Sequence, residues 1–246
     1  MRKAKRPNNG NGVRERLIEK ACEVFAKKGY RDATVAEICR GARANVAAIN
    51  YYFGNKEKLY AEAWGVAFGR SLKAHPPSGG VPADAAVEKR LAGRILAIME
   101  RLADPKGYEF EIIHKELANP TGLLAEVMRK SIEPVRQGLA GIVRELLGEK
   151  ASEEQVMLCQ MSIRSQCFDI LVRKRHSRMF KAAGMKAKLL PDRLKIEEIE
   201  DHILQFSLAG IREIRRRIEE GKLNGRSSGI NSKAGKGSAA KAAVKV

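Results

Sequence analysis

The chain has 246 residues, 44% of them hydrophobic and 31% charged, and a formal net charge of +18. That length can bury a sizeable core as one large or two modest domains, and so cationic a chain favours a polyanionic partner. No stretch approaches the roughly 18 uninterrupted apolar residues of a membrane span, and no apolar run follows the basic N-terminus as in a secretory signal, so a soluble cytoplasmic protein is expected.

Residues 1–11 hold Arg2, Lys3, Lys5 and Arg6 and almost nothing to bury. A disordered basic arm is expected there, either a solubilising leader or an arm for the minor groove or phosphates of a duplex. From Val13 the pattern turns helical: Val13, Leu17, Ala21, Val24 and Phe25 share one face, and Gly29 after Lys27-Lys28 supplies a stop. Thr34-Val35-Ala36-Glu37 reads as a capping box opening a short second helix, with Val35 and Ile38 inward. The turn Gly41 to Ala44 follows. Asn45 is a cap candidate for a third helix reaching Phe53, and Asn55 can cap a fourth carrying Leu59, Tyr60, Ala63, Trp64, Ala67 and Phe68. Residues 12–74 thus form the first block.

His75 to Val81 (HPPSGGV) is a breaker cluster, and the domain boundary is placed there. The second block, 82–222, shows helical patterns at roughly 85–103, 107–118, 121–148, 152–176 and 195–221. Pro134 is expected to kink or split the third of these. Ser152-Glu153-Glu154-Gln155 is a second capping box, and Met179 to Asp192 reads as a mixed basic loop. Residues 223–246 are Gly, Ser, Ala and Lys and are expected to be a disordered basic tail that aids DNA binding nonspecifically or is an unselected extension. Taking away the ten Lys/Arg of both ends (Lys222 included) leaves +8 on the body, so the folded part is itself cationic. Cys22, Cys39, Cys159 and Cys167 show neither C-x-x-C spacing nor company with histidine and read as buried reduced thiols. The expected fold is all-α.

The first block reads as a helix-turn-helix within a three-helix unit, whose second helix enters the major groove with its first turns at the base edges. Ala47 and Ala48 are small enough for close approach, and their methyls suit thymine methyls. Tyr51 and Tyr52 offer hydroxyls to phosphates, and Lys56 adds charge beside the free N–H groups that open the fourth helix. Ile49 and Phe53 fall on the core side. With Thr34-Val35-x-x-Ile38, Ala42 and then Ile49-Asn50-Tyr51-Tyr52-Phe53-Gly54-Asn55-Lys56-Glu57-x-Leu59-Tyr60, the stretch from 13 to about 65 resembles the TetR family of bacterial transcriptional regulators. Beyond it the resemblance is one of architecture, a longer all-helical domain. Asn45-x-Ala47-Ala48-Ile49-Asn50-Tyr51, Glu116-x-x-x-Pro120-Thr121 and Ser162-x-x-x-Gln166-Cys167 are similar to the CecR-like subfamily.

The resemblance implies a homodimer that binds an operator and is released by a small molecule held in the C-terminal domain. Carried over by position, it puts Thr34, Asn45, Val46, Ala47, Asn50, Tyr51, Tyr52 and Lys56 at DNA. One position departs from it: the family's turn is usually Gly-Val, and here it is Arg43-Ala44. A left-handed Arg43 costs about 1 kcal/mol relative to glycine. Either the turn is reshaped, or the guanidinium recovers that cost at a phosphate.

In the second block Tyr108, Glu111, His114, Met128, Met161, Arg164 and Phe168 are candidates for an effector pocket, although core or ion-pair roles are the plainer reading of each. The helices at 152–176 and 195–221, the latter with Ile196, Ile199, Ile203, Phe206, Ile214 and Ile218 in one stripe, are candidates for a dimer seam. No phosphate loop, nucleophile elbow or metal-ligand spacing is present, so neither enzyme, cofactor nor metal is expected. A sequence-tolerant DNA-coating protein driven by the basic tails is the alternative function.

Overall fold

The computed structural model describes residues 9–182, 184 and 195–222. Most of the basic arm, most of the loop expected over 179–192 and the tail from 223 lie outside the described residues. Among the described residues the chain forms α1 (Asn9–Asp32), α2 (Val35–Ala42), α3 (Ala47–Phe53), α4 (Lys56–Ala74), α5 (Val87–Ala103), α6 (Tyr108–Ala118), α7 (Ala125–Leu147), α8 (Glu153–Ala182) and α9 (Ile196–Glu219), with no strand. None of these helices is long and apolar enough to cross a membrane.

The local signals act as their chemistry requires. Gly29 takes φ 76°, ψ −177°, which ends the regular part of α1. Thr34 Oγ1 accepts from Glu37 N (3.2 Å), but the Glu37 carboxylate takes Lys28 Nζ at 2.7 Å, so only half of that box forms. At Ser152 both halves form: Ser152 N donates to Gln155 Oε1 (2.8 Å) and Gln155 N to Ser152 Oγ (3.3 Å). Several boundaries move, and α7 begins at Ala125 where a start near 121 was expected. α1 begins at Asn9, inside the expected arm, and α8 continues to Ala182 past the expected loop start at Met179. α7 runs through Pro134 as one helix rather than two; Pro134 is exposed, so the carbonyl left without an N–H partner can turn to water.

Two apolar cores form. The first gathers Leu17, Ala21 and Phe25 of α1, Ile38 of α2, Ile49 and Phe53 of α3, and Leu59, Tyr60 and Trp64 of α4. Phe25 meets Tyr60 edge-on at 4.8 Å between centroids. Ile112 of α6 and Leu124 belong to this core as well, so α6 packs against the head although it lies past residue 81. The second core joins Leu91, Ile95 and Met99 of α5, Leu139 and Val143 of α7, Val156, Ile163 and Cys167 of α8, and Ile199, Ile203, Ile211 and Ile218 of α9. All four cysteines are buried and unpaired, and burial pushes the Cys22 and Cys167 thiols up to about 12, where they are unreactive.

The breaker cluster is docked, not slack. A Cβ on Gly79 (φ 60°) would stand 2.2 Å from the Gly93 carbonyl of α5, and one on Gly93 would stand 2.4 Å from the Ser78 carbonyl. Only glycines permit that backbone-to-backbone approach. His75 Nε2 lies 3.2 Å from Asp104 Oδ2, fastening the end of α4 to the end of α5. A second clasp sits at Glu116, the acid of the Glu116-x-x-x-Pro120-Thr121 segment. Its carboxylate accepts from Thr121 N (2.8 Å), Thr121 Oγ1 (2.8 Å), Gly122 N (2.9 Å) and the Tyr60 hydroxyl of α4 (3.0 Å). Burial alone would raise this carboxyl, but the Thr121, Tyr60 and Gly122 donors hold it below its ordinary range.

Candidate nucleic-acid interface and interior cavity

α2 and α3 meet through a tight turn closed by Arg43, which adopts φ 52°, ψ 49° and is the one non-glycine residue at positive φ among the described residues. Arg43 N donates to the Arg40 carbonyl (3.2 Å) and Ala44 N to the Cys39 carbonyl (2.9 Å), the paired bonds of a left-handed helix end. The turn is therefore kept, not reshaped. The Arg43 side chain is exposed and forms no hydrogen bond or ion pair with the described residues.

Asn45 Oδ1 accepts from Ala47 N at 2.9 Å and starts α3. Helical periodicity then divides this seven-residue helix into two sides. Ile49 and Phe53, four apart, are buried in the first core. Asn45, Val46, Ala47, Asn50 and Tyr51 are exposed, with Val46 at 53% and Tyr51 at 82%. Ala48 and Tyr52 are half-buried against the core, and Tyr52 holds the Tyr51 ring edge-on at 4.8 Å. An exposed valine, alanine and tyrosine on one short face is apolar surface of the kind that a partner covers.

Thr34 is exposed, one hydroxyl lone pair already used in capping. Lys56 opens α4, but its ammonium lies 4.4 Å above the centre of the Tyr30 ring, and burial chiefly, against the pull of Asp32, lowers its pKa. Lys58, two residues on, is exposed and reaches back over Gly54 (3.8 Å from Nζ to a Cβ built there). With Arg40, also exposed, it is a cation on this face that motif reading passed over; the signal available was position alone, one turn from the motif at either end.

Between α4, α5, α6, α7 and α8 lies a cavity of about 290 Å³. Met128, Arg164 and Phe168 line it. Tyr108, Glu111, His114 and Met161 do not. The reason is angular. On α6 the side turned to the cavity runs from Glu109 through Ile113 and Leu117 to Phe110; Glu111 and His114 lie past its edge, and Tyr108 points to the first core. Met161 stands on the exposed side of α8.

The cavity also holds three buried charges that were not among the candidates. Arg94 is 8% exposed, Arg101 is buried and Glu109 is 0% exposed. Arg101 lies over both Phe68 (5.0 Å) and Phe110 (5.5 Å), donates to Ser71 Oγ at 3.3 Å and places Nη2 3.5 Å from Glu109 Oε1. Burial raises the Glu109 carboxyl, with Ser71 and Arg101 drawing it back; burial and the like charge of Arg101 lower the Arg94 guanidinium. The sequence did carry a signal: Arg94 and Arg101, seven apart, interrupt the apolar stripe Leu91, Ile95, Ile98, Leu102.

A second, more open groove of about 320 Å³ runs between α8 and α9, lined by Leu158, Ser162, Gln166, Phe206, Gly210 and Ile214 among others. Leu158 and Phe206 (64% exposed) stand free on it. Of the expected seam stripe, Ile199, Ile203 and Ile218 instead fill the chain's own second core, because α9 turns that side toward α5 and α7.

Residues 17–63 match the model for bacterial regulatory proteins of the tetR family, and residues 87–211 match that for the C-terminal domain of the HTH-type transcriptional dual regulator CecR. The chain is 26% identical over 159 residues to the dual regulator CecR of Shigella flexneri, covering 61% of this chain and 71% of that protein. It is 34% identical over 55 residues to the transcriptional repressor NicS of Pseudomonas putida, 22% of this chain and 26% of that repressor's length. With the regulator SrpR of Pseudomonas putida it shares 24% over 133 residues, 54% of this chain and 60% of that regulator. Its fold is similar to a transcriptional regulator from Pseudomonas aeruginosa (TM-score 0.63, 20% identity, 83% of this chain and 92% of that one). It is similar also to FadR from Bacillus subtilis, solved in complex with stearoyl-CoA (TM-score 0.57, 18% identity, 80% and 98%).

Proposed function

Because this chain belongs to the TetR family of bacterial regulators and carries the CecR-type C-terminal domain, we propose that it is a homodimeric repressor released from a palindromic operator by a small-molecule effector. The family is one of DNA-binding transcriptional regulators, not enzymes; dimer, repression and effector are the reading added here.

The exposed face of α3 carries this reading. Val46, Ala47, Asn50 and Tyr51 make a narrow surface that is half apolar and half hydrogen-bonding, which is what a major groove with its thymine methyls and base edges accepts. Thr34, Arg43, Asn45, Tyr52 and Lys56 surround it as the phosphate-facing set, Lys56 after leaving its seat on Tyr30. The groove between α8 and α9, with Leu158 and Phe206 exposed, supports a two-helix contribution from each subunit to a dimer seam. The cavity behind α6 supports an effector.

Selection of bound fragments from a random DNA pool tests it. The expected product is a two-fold symmetric site with half-site centres about 34 Å apart, or a multiple. A Phe206→Glu variant should be monomeric by sedimentation and lose that site. Recovery of sequences with no symmetry and a steep salt dependence would favour the DNA-coating alternative.

A further inference from the structure

We propose that the cavity between α4, α5, α6, α7 and α8 receives an amphipathic organic anion, with Arg94 as the group that binds its charge. The inference rests on the effector reading above and adds the chemical class of the ligand and the residue that recognises it.

Arg94 is the anomaly that carries it. The side chain is almost wholly buried, and its Nε and Nη1 are cut off from solvent with no hydrogen-bond partner among the described residues. Its guanidinium packs against Gly138 of α7, with Nη2 2.1 Å from where a Cβ on that glycine would stand. Buried guanidinium groups are ordinarily paired, because desolvation of the charge is otherwise unopposed. Glu109, the buried acid among the described lining residues, does not pair with Arg94: its ion-pair contact is with Arg101 Nη2, at 3.5 Å, and its own oxygens have no hydrogen-bond partner among the described residues.

The remaining charges point the same way. From α8, Arg164 lines the cavity and has no partner among the described residues. From α7, Arg136 lines it but is taken by Glu133 at 2.9 Å. α4 contributes Phe68 and no charged group to the lining. Among the described lining residues Glu109 is thus the only acid facing three buried or half-buried arginines, which leaves a surplus of positive charge. The rest of the wall is Phe68, Ile98, Ile113, Met128, Leu139 and Phe168, which would hold an aliphatic or aromatic body. A volume of about 290 Å³ limits that body to a small molecule. Guanidinium reads carboxylate and phosphate alike through two parallel N–H donors, and the tests below use carboxylates.

The chain provides its own reporter. Its single tryptophan, Trp64, stacks on Phe68 at 5.0 Å, and Phe68 lines the cavity. The full-length protein is titrated with octanoate, octanamide and octylammonium, and with 4-phenylbutyrate and its amide, following Trp64 emission. The carboxylates are expected to bind at least tenfold more tightly than their amides. Arg94→Met should bring carboxylate affinity down to that of the amide, leave amide affinity within twofold, and raise the unfolding temperature of the unliganded protein, since it removes an unpaired charge from the interior. Arg94→Lys should keep part of the discrimination. Equal binding of carboxylate and amide by the wild type would overturn the anion assignment while leaving the cavity as an effector site. Tightest binding of octylammonium would assign the charge role to Glu109 instead. Failure of every probe to bind up to millimolar concentration would remove the cavity as a binding site and the effector reading with it.

Discussion

Replacing Arg43 by glycine separates two energies that the structure places on one residue. The backbone at φ 52°, ψ 49° costs an L-residue about 1–2 kcal/mol. Glycine relieves this, but its freer unfolded chain returns about 0.5–1 kcal/mol of the gain. Because the Arg43 side chain makes no hydrogen bond or ion pair with the described residues that an Arg43→Gly change would break, the net should be a gain of about 0.5 kcal/mol. In a chain of this size that is a rise in unfolding temperature of about 1–2 °C. On DNA the sign reverses. If each head places its guanidinium on a phosphate, a dimer loses two such contacts, about 1–2 kcal/mol or roughly five- to thirtyfold in affinity. The slope of log K against log salt should become shallower by about 1.8. The assay is calorimetric unfolding of the free protein beside fluorescence-anisotropy binding to the selected operator between 50 and 300 mM salt, on the order of the range over which phosphate contacts report. Arg43→Lys should keep the slope, and Arg43→Asn, which tolerates the left-handed turn without charge, should lose it. A glycine variant with unchanged affinity and slope refutes the phosphate role, and one that is less stable than wild type refutes the strain argument.

Tyr51→Ala should leave stability within about 0.5 kcal/mol, since the ring is 82% exposed, yet weaken operator binding by about 1 kcal/mol per head, roughly thirtyfold for two. Tyr51→Phe tells hydroxyl from ring by the same binding assay: an equal loss assigns the effect to the hydroxyl, and none assigns it to the ring. Glu116→Gln should cost about 1–2 kcal/mol at neutral pH, or about 3–6 °C, by weakening the clasp on Thr121, Gly122 and Tyr60. Since the folded carboxyl is held below 4.5, its contribution is complete above that pH and is lost as pH falls through the folded value. The gap between wild type and variant should therefore close in acid, and a gap that stays constant to about pH 3.5 would show that the carboxylate charge is not what stabilises.

How much of this was legible beforehand depended on whether a feature is local. The helix-turn-helix was fully legible, because Thr34, Asn45 and Asn55 cap with their own nearest backbone and Ile49 and Phe53 lie one turn apart. The cavity was only partly so. Which side of α6 faces it depends on the partners of α6, and these are spread along the chain: α1 and α4 on one side, Arg101 of α5 and Phe168 of α8 against Phe110 on the other. A helix that is amphipathic toward two different cores has no single apolar stripe to read, so Tyr108, Glu111 and His114 were as plausible from spacing as Glu109 and Phe110. Arg94 was overlooked for a different reason. A charge on an apolar stripe ordinarily snorkels to the surface, and only the burial of both its free nitrogens distinguishes this one.

The same double loyalty of α6 gives the proposed effector and operator a physical route to one another. Ile112 is buried in the core that holds α2 and α3 in place, while Glu109, Phe110 and Ile113, within a turn of it, border the cavity. α4 repeats the arrangement, with Leu59, Tyr60 and Trp64 in the head and Phe68 one turn on at the cavity wall. An anion reaching Arg94 also meets Arg101, which is pinned between Phe68 and Phe110 and thus between these two helices. Drawing Arg101 toward the ligand and away from Glu109 would disturb its stacking on Phe68 and Phe110, and through these rings the packing of α4 and α6. Because the head core is shared with α6 and α4, such a shift would alter how the two recognition faces of the proposed dimer are spaced. A coupling of about 1–3 kcal/mol, the usual range, suffices for release, and linkage makes it reciprocal. Operator DNA should weaken carboxylate binding by the same factor by which the carboxylate weakens operator binding. Titrating 4-phenylbutyrate in the presence and absence of operator measures both factors, and two factors that differ would mean the cavity ligand and the DNA are not acting on one equilibrium.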